Sequence, residues 1–184
     1  MSAIRRRIAT VLLALAVMLV LAPTNAFAVT KTVKNFPGST YNEVAMAKAT
    51  VVKKGTTVLK FKKGSGVGVI KFTPTASKKY TFTFAKVTGS SKYIGGSAQF
   101  FYMNPYKKTR KSVKLAEGVR PLAFLCNANL ADGSKFTSDG KTYKRLATRR
   151  IQLTLKKGKT IYILTSFENE SYNPVAVTAR LKIQ

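Results

Sequence analysis

The side chains that usually carry catalysis are scarce in this chain. Its 184 residues include no histidine, one cysteine and six carboxylates. Without an imidazole there is no Ser-His-Asp or Cys-His catalysis, no imidazole zinc site and no general base of the usual kind near neutral pH. The sequence therefore predicts a protein that is not an enzyme and that holds no cofactor or metal.

The closest pair of carboxylates is Glu168 and Glu170, in the segment FENESYN. A retaining glycosidase needs two carboxyl groups about 5–5.5 Å apart across a cleft, and separate elements usually supply them. Two acids in one polar loop are more often solvated, so we interpret this pair as noncatalytic. The lone Cys126 follows Leu122 and Phe124 at a spacing of two, which is typical of a small core residue.

Positive charge is the strongest compositional signal. Lysine and arginine number 33 against six acids, for a net charge of +27, and no acid occurs between Glu43 and Glu117. Such a field attracts anionic polymers, here teichoic acid, an acidic polysaccharide or nucleic acid. The alternative is that the charge serves solubility and keeps exposed strand edges from associating. The densest basic run, KKTRKSVK at 107–114, predicts the centre of polymer binding.

Tyrosines stand beside two of the basic clusters. The candidates for polyanion binding are Tyr106, Lys107, Lys108, Arg110, Lys111, Lys114, Lys144, Arg145, Arg149 and Arg150. Aromatic faces could instead stack on a neutral carbohydrate, and the candidates for that are Tyr106, Tyr143 and Tyr172. The competing interpretation is that each ring lies over its own loop with the hydroxyl in water.

Alternating apolar residues define the elements that position these side chains. Tyr80, Phe82 and Phe84 alternate with small or polar residues, and Ile70 and Phe72 do the same before a turn at 74–77. A period of two predicts strands with one buried face, and we expect these two strands to form a hairpin. Similar segments recur along the chain with turn residues between them. The pattern predicts an all-β, antiparallel β-sandwich of jelly-roll type with about eight to ten strands.

The beginning of the chain reads as a targeting segment. Arg5–Arg7 precede an apolar stretch at 8–22, and Ala26-Phe27-Ala28 supplies small residues for cleavage, so residues 1–28 are predicted to be a signal peptide. Its three arginines would leave with it, giving a mature charge of +24 and no membrane span. We expect a flexible leader at 29–38, a single domain at 39–184, and at most one short helix, at 44–48 behind a capping box at 40–43. Export without disulfides favours a secreted protein of a Gram-positive bacterium.

Five segments in this order resemble the bacterial pre-peptidase C-terminal domain and its secreted jelly-roll relatives. They are YNEVAMAKATVVKKGTTVLKF, VIKFTPTASKKYTFTF, AQFFYMNP, IQLTLKKGKTIYILTSF and VAVTARLKI, and the matching positions are Glu43, Val44, Ala45, Phe72, Tyr80, Leu155, Gly158, Tyr162 and Leu164. The resemblance implies a noncatalytic sandwich attached to extracellular hydrolases, or secreted alongside them as an accessory domain. Relatives usually carry aspartates where this chain has GSGVG at 64–68, so the resemblance does not extend to any calcium binding seen in relatives.

Overall fold

The computed structural model describes residues 28–36, 47–64, 67–104, 109–112, 122–138 and 140–184. These residues form fourteen strands, which are β1 Val29–Val33, β2 Asn35–Phe36, β3 Thr50–Val52, β4 Gly55–Phe61, β5 Val67–Phe72, β6 Lys78–Gly89, β7 Ile94–Asn104, β8 Thr109–Ser112, β9 Leu122–Cys126, β10 Lys135–Ser138, β11 Lys141–Lys144, β12 Arg149–Leu155, β13 Ile161–Asn169 and β14 Val177–Ile183. The number exceeds the predicted eight to ten because several strands are too short to show an alternating pattern, β2 having only two residues.

Two sheets pack face to face, which confirms the predicted all-β sandwich. Sheet 1 has the strand order β1-β4-β14-β6-β12, and sheet 2 has the order β2-β5-β13-β7-β8, with β3 also pairing with β5 and β9 with β7. Strands β10 and β11 form a separate hairpin. Most pairs are antiparallel, but β1 pairs with β4 and β3 with β5 in parallel, so the sheets are mixed at these points.

The predicted hairpin around Pro74 is wrong, because its two strands lie in different sheets. Strand β5 pairs with β13 in sheet 2, whereas β6 pairs with β12 in sheet 1. The chain passes from sheet 2 to sheet 1 between β5 and β6 and from sheet 1 to sheet 2 between β12 and β13, and these two corners contact each other. The Gly158 amide donates to the Pro74 carbonyl at 2.9 Å, and the Lys157 amide donates to the Ser77 hydroxyl at 2.9 Å. A local sequence pattern identifies strands but does not choose their partners.

The core between the sheets is aromatic, as the alternation predicted. Phe72 from sheet 2 meets Phe82 from sheet 1 edge-on, with ring centroids 5.6 Å apart, and Phe82 meets Phe100 at 5.1 Å. Tyr80 and Phe84 complete the cluster, and all five side chains are almost fully buried. Edge-to-face pairs of this kind add to the stabilisation that burial of the rings already gives. These aromatic contacts therefore hold the two sheets against each other.

Three expectations for the first third of the chain have different outcomes. The predicted signal peptide at 1–28 falls almost entirely outside the described residues, as does most of the predicted helix at 44–48. The predicted leader at 29–38 is corrected, because β1 and β2 occupy residues 29–36 and pair with β4 and β5. Lys31 strengthens this attachment, since its ammonium donates to the carbonyl of Val51 at 2.7 Å. The last residue of β1, Val33, has its side chain buried in the core.

The outer side of sheet 2 is apolar at one end and open at the other. At the apolar end, Phe101 and Leu164 pack with Val69 and Ala49 in a second buried cluster, with Tyr162 against it. Strand β7 is thus covered on both sides there, because Ala98 and Phe100 face the core between the sheets while Phe101 faces this second cluster. Toward the other end of sheet 2, the outward positions of β7 are Gly95 and Ser97. The cavity described below lies over these residues.

Candidate functional site

A cavity of about 490 Å³ opens on the outer side of sheet 2, and we call it the sheet-2 pocket. It is lined by Tyr93, Gly95, Gly96, Ser97, Phe124, Leu125, Cys126, Leu130, Phe136, Arg145, Ser166, Glu168, Asn169, Glu170 and Tyr172. Its volume lies within the range of about 300–1,000 Å³ that is typical of small-ligand sites.

The described residues hold no cluster of three or more metal-ligating side chains, and none of their helices is long and apolar enough to cross a membrane.

Three neighbouring strands form the floor of the pocket. Gly95 of β7 lies opposite Cys126 of β9 and Glu168 of β13, so these residues make one row across the sheet. A glycine at the centre of the row leaves the space above the strand empty. A Cβ atom at Gly95 would contact only Leu130, at 3.5 Å, so the backbone packing does not require a glycine here. The absence of a side chain at this position leaves more room in the pocket.

The β10–β11 hairpin forms one wall. Its Phe136 and Tyr143 rings pack on Phe124 of β9 with centroid distances of 4.8 and 4.5 Å, which holds the hairpin against the sheet. Gly140, directly before β11, has a φ of 70°, a left-handed backbone conformation that glycine adopts at little cost. Arg145 follows the hairpin, donates to the Ser134 hydroxyl at 2.9 Å and lies over the Phe136 ring at 5.5 Å. The guanidinium is therefore held in place beside the cavity.

The loop after β13 forms the opposite wall. The side-chain oxygen of Asn169 accepts hydrogen bonds from the amides of Ser171 and Asn173, each at 3.0 Å, and this closes a tight turn. Tyr172 within that turn has a φ of 59° and a side chain that is 81% exposed. A bulky residue in left-handed backbone costs free energy, of the order of 1–3 kcal/mol, and such residues concentrate at functional sites. The turn thus presents an aromatic ring to solvent at the rim of the pocket.

Charges of opposite sign line the two walls. Arg145 stands on the hairpin side, and Glu168 and Glu170 stand on the loop side. In the part of the chain that the structure describes, no salt bridge joins Arg145 to either carboxylate. Asp132, another described acid, instead makes a local turn contact, because its carboxylate accepts a hydrogen bond from the Ser134 amide at 2.9 Å. Hydrogen bonds from Ser134 lower the pKa of this carboxyl group. The pocket is therefore dipolar.

Cys126 lies at the bottom of the pocket but is itself buried. Burial raises the pKa of its thiol, while the nearby positive charges of Arg149 and Arg145 act in the opposite direction. Desolvation is the larger effect, so the neutral thiol is favoured. The position agrees with the predicted core role and makes Cys126 a poor nucleophile.

A second candidate surface covers the outer side of sheet 1. Between the buried residues of its strands, five cations point outward, and together we call them the cationic face: Lys60, Lys79, Arg150, Arg180 and Lys182. None of the five strands of sheet 1 contains an aspartate or a glutamate. The register places threonines beside four of these cations, for example Thr83 between Lys182 and Arg150.

The spacing of the cationic face follows from the sheet geometry. Lys182 and Arg180 are two residues apart on β14, about 7 Å at the rise of a strand. Lys182 and Arg150 flank Thr83 on either side, which is about 10 Å at the usual distance between neighbouring strands. The surface offers regularly spaced ammonium and guanidinium groups with hydroxyl donors between them, and that arrangement suits a row of anions.

The predicted polyanion residues that the structure describes lie in several different elements. Tyr106, Lys107, Lys108 and Lys114 lie outside the described residues, and Arg110 and Lys111 belong to β8, opposite Met103 and Tyr102 of β7. Lys144 is exposed at the end of the hairpin, Arg145 lines the sheet-2 pocket, and Arg150 belongs to the cationic face. Arg149 instead makes structural contacts, because its guanidinium donates to the carbonyls of Phe124, at 3.0 Å, and Lys144.

The two predicted sugar-stacking tyrosines that the structure describes have different surroundings. Tyr172 reaches the rim of the pocket, Tyr143 packs its ring against Phe124 and is half-buried, and Tyr106 lies outside the described residues. The pocket adds Tyr93 and the pair Gly95-Gly96, none of which is among the site residues predicted from the sequence. Paired glycines inside a strand were the signal that could have pointed there, since glycine in a strand interior marks a place for close approach.

Comparisons with known proteins give little more. No family model matches the chain, and neither does any curated protein. Similar solved structures include the surface-associated copper-binding protein CorA of Methylomicrobium album BG8, with 8% identity, a TM-score of 0.41 and coverage of 73% of this chain and 98% of that one. Another is PliG, a periplasmic inhibitor of g-type lysozyme from Aeromonas hydrophila, with 17% identity, a TM-score of 0.33 and coverage of 73% and 96%. TM-scores this low carry no inference, and the resemblance to the pre-peptidase C-terminal domain stays a prediction.

Proposed function

We propose that the protein is an extracellular, noncatalytic binding module that holds anionic polymers on the cationic face. The observation that carries the proposal is a sheet surface with five outward cations and no acid on any of its strands. A polymer laid across such a surface releases counterions at several contacts, so many weak contacts add up. Teichoic acid, acidic polysaccharide and nucleic acid all present the required row of anions.

The position of these cations argues against edge protection as their sole purpose. Lysines protect a sheet when they lie on edge strands. In sheet 1 the edges are β1 and β12, whereas Lys60, Arg180 and Lys182 lie on the interior strands β4 and β14. Their backbone groups are already paired on both sides, so no edge there needs blocking.

The test compares two variants that lose the same charge. Lys60→Gln/Arg180→Gln/Lys182→Gln removes the centre of the cationic face, and Lys53→Gln/Lys63→Gln/Lys156→Gln removes three exposed lysines from turns. Binding of a teichoic-acid preparation and of a DNA duplex is measured against salt concentration. For DNA, the slope of log K against log salt should become shallower in the first variant, by about one for each phosphate that is no longer neutralised.

The control variant should keep most of the original slope, because its lysines lie off the face. Equal losses of affinity in both variants would mean that only the net charge matters, and the proposal would then be wrong. Affinity for the polymers that survives about 1 M salt, where the Debye length is about 3 Å, would also contradict it.

A further inference from the structure

The sheet-2 pocket has features that attraction to a polymer does not explain. It lies on the opposite side of the sandwich from the cationic face, and it contains Glu168 and Glu170, which would repel a polyanion. In a chain with only six acids, two carboxylates at one cavity are a specific feature. Carboxylates there accept hydrogen bonds, so the ligand should present donors on that side.

The opposite wall calls for an anionic group. A guanidinium has five N–H donors, and Arg145 uses one of them on the Ser134 hydroxyl. This hydrogen bond and the position of the guanidinium 5.5 Å from the Phe136 ring hold the group beside the cavity, and its remaining donors suit forked recognition of a carboxylate. Arg145 is half-buried, so this contact is screened less by salt than one on the cationic face.

The rim adds an apolar platform. Tyr172 is held in a closed turn with its ring exposed, and Tyr93 lines the same cavity. An exposed, rigid aromatic ring suits the flat C–H face of a sugar, because stacking buries apolar surface while the hydroxyls of the sugar stay free to hydrogen-bond. The cavity volume of about 490 Å³ is at the small end of ligand pockets and fits one or two sugar rings better than a long chain.

We propose that the sheet-2 pocket binds a sugar acid of one or two rings. The carboxylate of the sugar accepts hydrogen bonds from Arg145, its hydroxyls donate to Glu168 and Glu170, and a ring face lies on Tyr172. Gly95 leaves the floor open for the ligand. The pocket works independently of the cationic face, so either can fail in experiment without the other.

The probes are digalacturonate and N-acetylneuraminic acid, each compared with its neutral counterpart in which the carboxylate is reduced to a hydroxymethyl group. Affinity is measured by titration calorimetry and by amide chemical shifts, at about 1 M salt to suppress diffuse attraction. At least one acid should bind about tenfold to a hundredfold more tightly than its neutral counterpart, as expected for a hydrogen bond between charged groups.

Matched variants locate the contact. Arg145→Gln should abolish the preference for the acid, whereas Lys144→Gln removes the same charge from an exposed neighbour outside the pocket and should leave the preference intact. Tyr172→Phe should bind normally. Tyr172→Asn should lose binding although asparagine tolerates the left-handed backbone, so folding is preserved. Glu168→Gln/Glu170→Gln should weaken binding of the neutral counterpart through its hydroxyls, and should weaken binding of the acid less, because the substitution also removes repulsion of the sugar carboxylate.

The outcomes that would overturn the proposal are distinct. Binding of neither acid at about 1 M salt would exclude a sugar-acid site. Equal effects of Arg145→Gln and Lys144→Gln would show general electrostatics in place of a pocket contact. Tight binding of the neutral sugars with no preference for either acid would mean that Arg145 plays no part in recognition. Amide shifts confined to sheet 1 would place the ligand on the wrong side of the molecule.

Discussion

The outer surfaces of the two sheets differ in how they are built. The cationic face uses alternate residues of four regular strands, β4, β6, β12 and β14. The sheet-2 pocket uses strands only as a floor, and its walls come from the β10–β11 hairpin and the loop after β13. A flat surface of like charges suits an extended partner of low specificity, whereas a walled cavity with both charge signs suits a small ligand in one orientation.

The cationic face and the sheet-2 pocket depend on the same core. A substitution in that core should therefore disrupt both surfaces, and it has the largest expected effect. Phe82→Ala deletes a buried ring that touches Phe72 and Phe100 across the sandwich. We expect a loss of about 3–5 kcal/mol in the free energy of unfolding, measured by urea denaturation. Thr83→Ala, at the neighbouring outward position, should cost less than about 1 kcal/mol. A small loss for Phe82→Ala would show that the sheets do not depend on each other.

A substitution at the floor of the pocket should separate the two surfaces. A Cβ at Gly96 would overlap the Ser166 carbonyl and the Phe167 ring, so Gly96→Ala forces β7 and β13 apart. We expect a loss of about 1–3 kcal/mol in stability, and binding to sheet 1 should be unchanged in the molecules that remain folded. Gly95→Ala is the control, since only Leu130 is near, and its stability should change by less than about 0.5 kcal/mol.

The rim of the pocket should show a conflict between stability and function that the cationic face lacks. Tyr172→Gly relieves the left-handed backbone and sacrifices little packing, because the ring is 81% exposed. Because glycine loses more conformational freedom on folding than tyrosine, part of this relief is offset, and thermal unfolding should show a net stabilisation of about 0.5–1 kcal/mol. Destabilisation would mean that the ring packs on the loop, and the pocket would then have no aromatic platform.

The smallest expected effect concerns Cys126. Because burial raises the pKa of its thiol, alkylation by iodoacetamide should be slow near neutral pH and should accelerate as the pH rises through the folded-state pKa. The folded state binds this proton more tightly, so its stabilising contribution is present below the unfolded pKa and is lost as the pH rises through the folded pKa.

A substitution at Arg145 tests the pKa shift of the Cys126 thiol. The charge of Arg145 lowers the pKa of the thiol, so Arg145→Gln should slow alkylation further, and Lys144→Gln serves as the control for charge loss outside the pocket. Rapid labelling of the native protein at neutral pH would show that the floor of the pocket is open to solvent. The cationic face contains no thiol and should be indifferent to the reagent.

The candidate sites were predictable to different degrees. The outward position of Lys182 could be read from the alternation in VAVTARLKI, and the lack of histidine ruled out whole classes of chemistry. That Arg145 and Tyr172 line one pocket could not be read in this way, and the sequence placed them in two separate hypotheses. They line the same cavity because the hairpin packs on β9, β9 pairs with β7, and β7 pairs with β13. Each step depends on a pairing between distant segments.

The sequence by itself determined the all-β class, the aromatic core and the positive outer surface, because a period of two decides locally which side chains are buried. Only the tertiary structure decided which sheet each strand joins. It placed β5 and β6 on opposite sides of the core, and it brought Gly95 between Cys126 and Glu168. The physical reason is that backbone hydrogen bonds between strands are the same for every residue type, so partners are chosen by the packing of the whole chain.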